Sequence, residues 1–437
     1  MNIRELALTL LDEYELLGKY VNLSLSSHKT DGVSREERGF LTALLYTSVE
    51  RKLTYDYYIG ALSKRSVDKI DVHTLNILRL GLCQLLHMES VADHVAVNET
   101  VKLGRNKGER GFVNGILRAA LRARDGEGLP MPDRAKNAAR YMSVAYSYPL
   151  WIVKHFVSLL GEREAESLLI HNNVFSHTDL TVNTARVSPE AVVKILREEG
   201  YHPSLSPRSP ISVRLSGTVN PTALCGFDKG WFFVQDEACA VSIAALSPRR
   251  GDVIVDVCAC PGGKSFAAAI LSEDAGEIYS FDIHESKLSL ITDGKERLGL
   301  TSVRAEVQDA TEPREELFGR ADKVICDVPC SGLGILGKKP DIRYRDKEGV
   351  SELPELQYSI LSASAKYLKS GGSMVYSTCT INPAENEEVV RRFLSENTDF
   401  SACDFTVGDL ASKGGMLTTL PHIHQMDGFF IAKLRKA

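Results

Sequence analysis

From residue 251 onward, the chain alternates short runs rich in β-branched residues with stretches of helical pattern. The β-rich runs are 252–257 (DVIVDV), 277–283 (EIYSFDI), 302–307 (SVRAEV), 322–328 (DKVICDV) and 373–378 (SMVYST). Strands separated by helices pair in parallel, with helices on both faces of the sheet, so this pattern predicts an α/β domain. The last run, 428–434 (GFFIAKL), is predicted to add a strand at an edge.

The N-terminal part of the chain has a different pattern. Residues 1 to about 124 carry apolar side chains at helical spacing and predict a helical bundle. Gly, Pro and acidic residues at 125–133 break that period and indicate a linker. Beyond it, strands near 180–183 and 211–215 and a helix from Pro189 indicate a mixed segment. We therefore predict a helical domain (1–128), an α+β connector (129–230) and the α/β domain (231–437).

Composition limits the location and the partners of the protein. The net charge of −5 gives no global attraction to nucleic acid, so any RNA binding must come from local basic patches. Nine cysteines without regular spacing, behind an N-terminus too charged for a secretory signal, favour a reducing compartment. No apolar run is long enough to span a bilayer. A cytoplasmic location is predicted.

A glycine-rich turn, 256–265 (DVCACPGGKS), follows the first strand of the α/β domain and opens a helix. Such a turn lies at the carboxyl ends of the strands, where ligands bind. Its GGKS ending is similar to a phosphate-binding loop, but Cys258 stands where that loop requires its first glycine. A nucleoside triphosphatase is therefore the weaker alternative.

Two aspartates favour a nucleoside cofactor. Asp282 ends the second strand, a usual position for a carboxylate that accepts from ribose hydroxyls, and Asp309 follows the third strand, where it could accept from an adenine amino group. A single aspartate at a strand end is as often a turn residue. Their positions after successive strands favour the cofactor interpretation.

Two loops carry thiols to the same edge of the sheet. The first, 327–332 (DVPCSG), follows the fourth strand, and the second, 377–380 (STCT), follows the fifth. They place Cys330, Cys379 and Asp327 beside the cofactor turn. Because a thiolate is a strong nucleophile, the pair predicts covalent chemistry.

Six of the seven remaining cysteines are assigned to packing or to the cofactor turn. Free cysteines behave as small apolar residues, which is the interpretation for Cys83, Cys225, Cys239 and Cys326. Cys258 and Cys260 are spaced too closely for the usual zinc-binding pair, and no second pair matches them. No metal site is predicted.

A basic segment follows the loop of Cys330. Its sequence, 338–347 (KKPDIRYRDK), mixes positive charges with an aromatic ring, a composition suited to phosphates and base stacking. A solvated loop fits the composition equally well, but the position favours RNA contact. The predicted RNA-binding residues are Lys338, Lys339, Arg343, Tyr344 and Arg345.

With these motifs the sequence resembles the Sun/RsmB-type (Fmu-type) ribosomal RNA cytosine-5 methyltransferases of the Nol/Nop/Sun family. The resemblance covers nearly the whole chain and also includes FVQDEACA, STCTINPAENE and DGFFIAKL. AVNETVKLG and GFVNGILR resemble the NusB-like RNA-binding domain of this subfamily. The resemblance implies a Rossmann-like S-adenosylmethionine-dependent methyltransferase domain, an all-helical NusB-like domain and a small α+β connector. Cys260 departs from the family, which commonly has alanine there.

The resemblance also implies roles for individual residues. Cys379 would be the nucleophile and Cys330 would assist release. S-adenosylmethionine would be the cofactor, and a monomer would methylate small-subunit rRNA at cytosine 967 of 16S rRNA. The implied cofactor residues are Cys258, Ala259, Cys260, Pro261, Gly262, Gly263, Lys264, Asp282, Asp309 and Asp327.

The chemistry adds one hypothesis and leaves several alternatives. A nucleophile must add to C6 of cytosine before C5 can take a methyl group, and a protonated Asp327 could donate to N3 as charge develops. The same chemistry on tRNA or another RNA remains an alternative. So do a non-catalytic NusB-like RNA-binding factor and a DNA-type enzyme, in which Cys330 would be the nucleophile.

Overall fold

The computed structural model describes residues 2–19, 33–174, 177–345 and 347–437, which form two compact units. The first unit contains residues 1–173 and 339–345, and the second contains 174–338 and 346–437. This division comes after residue 173, whereas the sequence placed a boundary at 128. Each unit is described separately.

The first unit is helical, which confirms the predicted bundle. Its helices are α1 (Ile3–Leu17), α2 (Arg35–Glu50), α3 (Lys52–Ser63), α4 (Val72–His87), α5 (Asp93–Lys102), α6 (Lys107–Asp125), α7 (Ala138–Tyr146), α8 (Leu150–Leu160) and α9 (Glu162–Val174). Helix α4 is apolar around most of its circumference and is buried in the centre of the bundle, as such a pattern requires. Within the described ranges, no helix is long and apolar enough to cross a membrane.

Helices α7 to α9 belong to this unit because they share polar contacts with it. The Thr54 hydroxyl donates to the carbonyl of Val144, and the backbone N–H of Leu53 donates to the Ser147 hydroxyl. A short 3₁₀ helix, Pro340–Tyr344, also lies in this unit. These contacts between distant parts of the chain place residues 129–173 in the same compact unit as the bundle.

The second unit begins with a four-stranded antiparallel sheet. Its strands are β1 (His177–Val182), β2 (Pro203–Leu205), β3 (Ser212–Ser216) and β4 (Phe232–Val234), in the order β2-β3-β1-β4, with helix α10 (Pro189–Glu198) against it. Pro189 begins the helix and Ser188 caps it by accepting from the N–H of Ala191. The predicted strands and helix of this segment are confirmed.

The main sheet of this unit is mixed. Its strands are β5 (Val253–Asp256), β6 (Glu277–Asp282), β7 (Val303–Val307), β8 (Ala321–Asp327), β9 (Leu368–Thr378), β10 (Phe400–Ala402), β13 (Met416–Thr419) and β14 (Phe429–Lys436). The main order is β10-β14-β9-β8-β5-β6-β7, with β13 also paired to β14, and β5 to β9 are parallel. Two short strands, β11 (Thr406–Val407) and β12 (Leu410–Ala411), pair separately.

Helices accompany this sheet in the order that the alternating pattern predicted. They are α11 (Glu237–Leu246), α12 (Gly263–Leu271), α13 (Leu288–Leu298), α14 (Lys347–Ser351), α15 (Leu353–Ala365), α16 (Glu387–Glu396) and α17 (Pro421–His424). Two apolar clusters within this unit each combine residues of the sheet with residues of the helices. This is the expected packing of a sheet that is covered on both faces.

The prediction that the last strand lies at an edge is wrong. Strand β14 is antiparallel to β9, and both β10 and β13 pair with β14 as well. These two partners have three and four residues, which is too short for a clear alternating pattern. The pairing of Phe430 with Thr378 brings the start of β14 to the carboxyl end of β9.

Candidate active site

The candidate site lies where the order of the parallel strands changes direction. The chain runs outward from β5 to β7 on one side of the sheet and then returns to β8, which pairs with β5 on its other side. Ligands of open α/β sheets bind at such a switch point, outside the carboxyl ends of the strands. The glycine turn follows β5 and the loop of Cys330 follows β8, so the two motifs meet there.

The turn after β5 has a shape that only glycine allows at residue 262. Gly262 has φ of 108°, and a Cβ atom there would lie 2.5 Å from Cζ of Phe266. The backbone N–H of Gly262 donates to the carbonyl of Ala259, while the N–H of Ala259 donates to Phe281 in β6. The turn is therefore fixed against the neighbouring strand, and helix α12 begins directly after it.

The two predicted cofactor aspartates lie at the ends of neighbouring strands. Asp282 accepts from the N–H of Cys260 over 3.3 Å and from the N–H of His284 over 3.0 Å. Asp309 accepts from the N–H and the hydroxyl of Thr311 through one oxygen, Oδ1. Asp282 thus joins the glycine turn to β6, and Asp309 also shapes its own turn.

Two apolar side chains beside these aspartates were missed by the sequence reasoning. Ile283 follows Asp282 and is 56% exposed, and Val307 ends β7 and is 44% exposed. Single apolar residues at the ends of strands carry no signal in a sequence, since many such residues are exposed. Only the strand order places both of them near the predicted nucleoside site.

The structure brings Cys330 and Cys379 together as predicted. Their Sγ atoms are 3.0 Å apart. The hydrogen bond with Cys330, together with burial, raises the pKa of the Cys379 thiol well above its usual value. Cys379 is therefore a neutral thiol in the free protein at neutral pH.

A half-buried ion pair lies next to the thiols. Lys264 Nζ is 2.6 Å from Asp327 Oδ2, and the Ser377 hydroxyl donates to Oδ1 over 2.6 Å. Burial alone would lower the pKa of Lys264, but the charge of Asp327 raises it well above the usual value. The ammonium group and the serine hydroxyl both stabilise an ionised Asp327. The hypothesis of a protonated Asp327 stays a prediction.

Four other thiols of this unit have raised pKa values and are poor nucleophiles. Burial raises the pKa of Cys239 and of Cys326 to about 12, and it also raises the pKa of Cys258 well above its usual value. Burial and the nearby Asp282 raise the pKa of Cys260 to about 12. The thiol of Cys260 donates to the carbonyl of Lys287. These values support the packing role that was predicted for Cys239 and Cys326.

The predicted RNA-binding segment divides into a buried part and an exposed part. Arg343 is completely buried, and it donates to the side chain of Asn173 over 2.9 Å. The Tyr344 hydroxyl donates to the carbonyl of Val49. Both side chains thus support the helical unit, and the prediction that Arg343 contacts RNA is corrected. Lys339 and Arg345 are exposed.

Lys338 belongs to a cluster of charged side chains that the sequence did not indicate. Its ammonium group forms ion pairs with Asp236 and, over 3.1 Å, with Asp427. His177 Nε2 lies 3.0 Å from Asp179 and 3.7 Å from Asp236, close enough for the three side chains to hold a metal ion. Lys338 already supplies positive charge to this cluster.

Asp256, at the end of β5, gives a prediction about stability. It is buried, and the Ser265 hydroxyl donates to its Oδ2 over 2.7 Å. Burial raises the pKa of this carboxyl from 3.8 to about 7. Between these values the folded protein binds a proton that the unfolded chain has lost, so the free energy of unfolding falls as pH rises. From pH 4 to pH 7, the free energy of unfolding of Asp256→Asn should rise by about 3 kcal/mol relative to that of wild type.

Thermal unfolding of wild type and Asp256→Asn across this pH range measures the effect. The control is Asp322→Asn, in the neighbouring strand β8. Although burial opposes it, the hydrogen bond from Lys369 lowers the pKa of Asp322, so this variant should lose stability throughout the range. If the stabilities of wild type and Asp256→Asn change with pH in parallel, the prediction is contradicted.

The fold and this site define a class of protein. The site combines a mixed sheet that has helices on both faces, a glycine turn at the switch point of its parallel strands and aspartates after the next two strands. Together these features describe a Rossmann-like methyltransferase that uses S-adenosylmethionine. Comparison with known proteins supports this class and narrows it. A family model described as 16S rRNA methyltransferase RsmB/F matches residues 243–435. The chain belongs to this RsmB/F family, and the resemblance that the sequence indicated is confirmed.

Further matches cover the rest of the chain. A model of the NusB family matches residues 1–122, and a Methyltr_RsmF/B-like, ferredoxin-like domain matches 148–222. A probable ribosomal RNA small subunit methyltransferase B of Synechocystis sp. is 36% identical over 100% of both chains. The protein of the same description from Bacillus subtilis is 33% identical, over 100% of this chain and 99% of its own. The crystal structure of PH0851 is 25% identical with a TM-score of 0.83, and the match covers 100% of this chain and 99% of that one.

Proposed function

We propose that the protein transfers a methyl group from S-adenosylmethionine to C5 of a cytosine in 16S rRNA through a covalent adduct at C6. The observation that carries this proposal is the pair of thiols, Cys330 and Cys379, 3.0 Å apart beside the Lys264–Asp327 ion pair. A substrate atom that is already a strong nucleophile could take the methyl group without covalent help from the enzyme. Two thiols and a carboxylate at the switch point would then have no purpose. They fit a substrate whose carbon must first be activated.

The reaction has four steps. The Cys379 thiolate adds to C6, and the electron pair of the C5–C6 bond moves into the ring. C5 then attacks the methyl carbon of the sulfonium, which releases S-adenosylhomocysteine. Next, the proton on C5 leaves to a base, for which Cys330 is placed. Finally, the C6–S bond breaks and restores both the aromatic ring and the Cys379 thiolate.

The thiol at Cys379 must lose its proton before it attacks. Its raised pKa means that few molecules of the free protein carry the thiolate. Formation of the nucleophile is therefore coupled to attack on the bound cytosine, with the thiol proton passing to water in the crevice. This arrangement protects a reactive group until a substrate is bound.

The ion pair can supply the charge stabilisation that was first assigned to a protonated Asp327. In the free protein the proton resides on Lys264, 2.6 Å from Asp327. As negative charge develops on the ring, that proton can pass through Asp327 to N3 of the cytosine. We propose that the two residues act together as one acid.

The proposed cofactor site uses the residues that the resemblance implied. The turn from Cys258 to Lys264 would hold the methionine part of S-adenosylmethionine. Asp282 would accept from the ribose hydroxyls and Asp309 from the adenine amino group, with Ile283 and Val307 against the faces of the base. Asp327 borders the same crevice.

The proposed substrate is small-subunit rRNA, as the names of the relatives state for those proteins. We propose cytosine 967 of 16S rRNA as the target, a monomer as the active form and the cytoplasm as its location. The helical domain, residues 1–128, would bind RNA. Its helix α6 exposes Lys107, Arg118 and Arg122, and Lys339 and Arg345 remain candidates for contact.

Methylation of defined RNAs tests this proposal. The protein, S-adenosylmethionine and unmodified 16S rRNA should give 5-methylcytidine, detected by nucleoside mass spectrometry, and a C967→U rRNA should give none. A transcript of tRNA is the comparison. Methylation of tRNA alone would refute the substrate but keep the chemistry, whereas a methylated base other than 5-methylcytidine would refute the chemistry.

A further inference from the structure

A buried carboxylate joins the two loops that carry the catalytic thiols. Glu385 is completely buried. Its Oε2 accepts from the backbone N–H of Ser331 over 2.8 Å and from Nε2 of Gln357 over 3.0 Å. Its Oε1 accepts from Nδ2 of Asn382 over 3.0 Å. The steps of the proposed reaction leave this residue without a role.

Gln357 extends this link to the other side of Cys330. It lies in α15, is completely buried, and also donates through Nε2 to the carbonyl of Pro329 over 3.0 Å. Pro329 and Ser331 are the two neighbours of Cys330 in the chain. The backbone on both sides of that cysteine is therefore tied, directly or through Gln357, to Glu385.

Glu385 belongs to the loop that begins at Cys379. The Ser331 hydroxyl donates to the Thr380 hydroxyl over 2.8 Å, and the N–H of Gly334 donates to the carbonyl of Cys379 over 3.0 Å. Gly334 also lies against Gly428. A Cβ atom at Gly334 would lie 1.8 Å from the carbonyl oxygen of Gly428, so the close approach of these two residues requires glycine at 334. The two loops are thus linked at several points, and Glu385 provides the only charged group among these links in the described residues.

Burying a carboxylate in the interior of a protein costs free energy. Removing its charge from water is unfavourable unless hydrogen bonds compensate, and within the described part of the chain Glu385 forms no ion pair. Hydrogen bonds to a charged acceptor are shorter and stronger than neutral ones. The gain from such bonds is a fixed geometry, here the spacing between the loop of Cys330 and the loop of Cys379.

We propose that Glu385 is a positioning residue that sets the approach of Cys330 to the adduct on Cys379 and thereby controls release. This inference rests on the proposed function for its chemical meaning. Its geometric part, the control of the distance between two thiols, stands without RNA or cofactor. A displacement of about 1 Å at a reacting group can cost roughly 100-fold in rate, so even small loosening should be measurable.

The geometric part is tested by thiol exchange in the full-length protein. In glutathione buffers, Cys330 and Cys379 can form a disulfide while one oxidised glutathione is reduced to two thiols. Peptide mass spectrometry gives the equilibrium constant, which measures how well the two thiols are held together. We expect Glu385→Ala to lower this constant by about tenfold. Glu385→Gln should retain most of it, because its amide oxygen can accept from Ser331 and Gln357.

Two further variants guard against general damage. Gln357→Met keeps the size of the side chain but removes the donor to Pro329, so it should lower the constant by about threefold. Glu387→Ala is the matched control, because this glutamate accepts from Thr418 in β13 and contacts neither thiol loop through a hydrogen bond. If the equilibrium constant for the Cys330–Cys379 disulfide is unchanged in both Glu385→Ala and Gln357→Met, Glu385 is not a positioning residue.

The catalytic part is tested with RNA and S-adenosylmethionine. Glu385→Ala should lower kcat by about 10- to 100-fold, leave KM for S-adenosylmethionine unchanged and increase the steady-state fraction of protein bound covalently to RNA. Glu385→Gln should restore kcat. A loss of activity without any adduct would overturn the assignment to the release step. Absence of methylation in wild type would refute the proposed function, while the glutathione measurement would still decide the geometry.

Discussion

Cys379→Ala should abolish methylation, with a loss of at least roughly 10⁴-fold in kcat and no covalent RNA adduct. The physical reason is that C5 of cytosine becomes nucleophilic only when C6 carries an added group. Alanine removes the only atom of Cys379 that can add. Radiolabelled methyl transfer measures the rate, and electrophoresis in denaturant measures the adduct. Affinity for S-adenosylmethionine should be unchanged, because the substitution leaves the glycine turn intact.

The control for Cys379→Ala is Cys260→Ala, which removes a different thiol in the same crevice. That thiol donates to the carbonyl of Lys287, and its pKa is raised to about 12, so it is not expected to react. Cys260→Ala should keep activity within about threefold of wild type. An active Cys379→Ala would refute the mechanism and move the nucleophile to Cys330, as in the DNA-type alternative.

The sheet and the three loops of the site were predictable from the sequence for a simple reason. Buried parallel strands appear as short apolar runs, and the residues that follow them are placed by topology at one edge of the sheet. Cys330 and Cys379 were thus placed together without any knowledge of their distance. The observed Sγ separation of 3.0 Å adds the detail that a pattern cannot contain.

Features that depend on contacts between distant parts of the chain were missed. The basic residues at 338–345 have the composition of an RNA-binding loop, yet Arg343 is buried against Asn173 in the helical unit. Local composition cannot distinguish a solvated arginine from one that is held by distant carbonyl and amide groups. The same limit applies to Glu385, whose partners Ser331 and Gln357 come from other loops and helices.

The protonation of Asp327 illustrates a third limit. A motif places the carboxylate near the cytosine, but only the structure brings Lys264 within 2.6 Å of it. A nearby cation stabilises the charged form of a carboxylate, and this contact is not contained in the motif. The electrostatics of this crevice therefore depend on a pair of residues from a helix and a strand that are distant in the sequence.

Cys330→Ala should trap the reaction after methyl transfer. Cys379 remains able to add to C6 and C5 can still take the methyl group, but the base that removes the C5 proton is lost, so the C6–S bond cannot break. Turnover should fall by roughly 100- to 1000-fold. A denaturant-stable complex that carries the labelled methyl group should approach one RNA per protein, measured by electrophoresis and by mass spectrometry of the cross-linked peptide.

The double variant Cys330→Ala with Cys379→Ala separates the two roles. It should form no adduct, because the trapped species depends on Cys379. If the two roles were exchanged, with Cys330 as the nucleophile and Cys379 as the release base, Cys330→Ala would form no adduct and Cys379→Ala would accumulate one. The two assignments thus predict opposite results for the same pair of variants, and the Sγ separation of 3.0 Å explains why distance alone does not choose between them. Only the cysteine whose loss leaves a trapped RNA can be the one that acts in release.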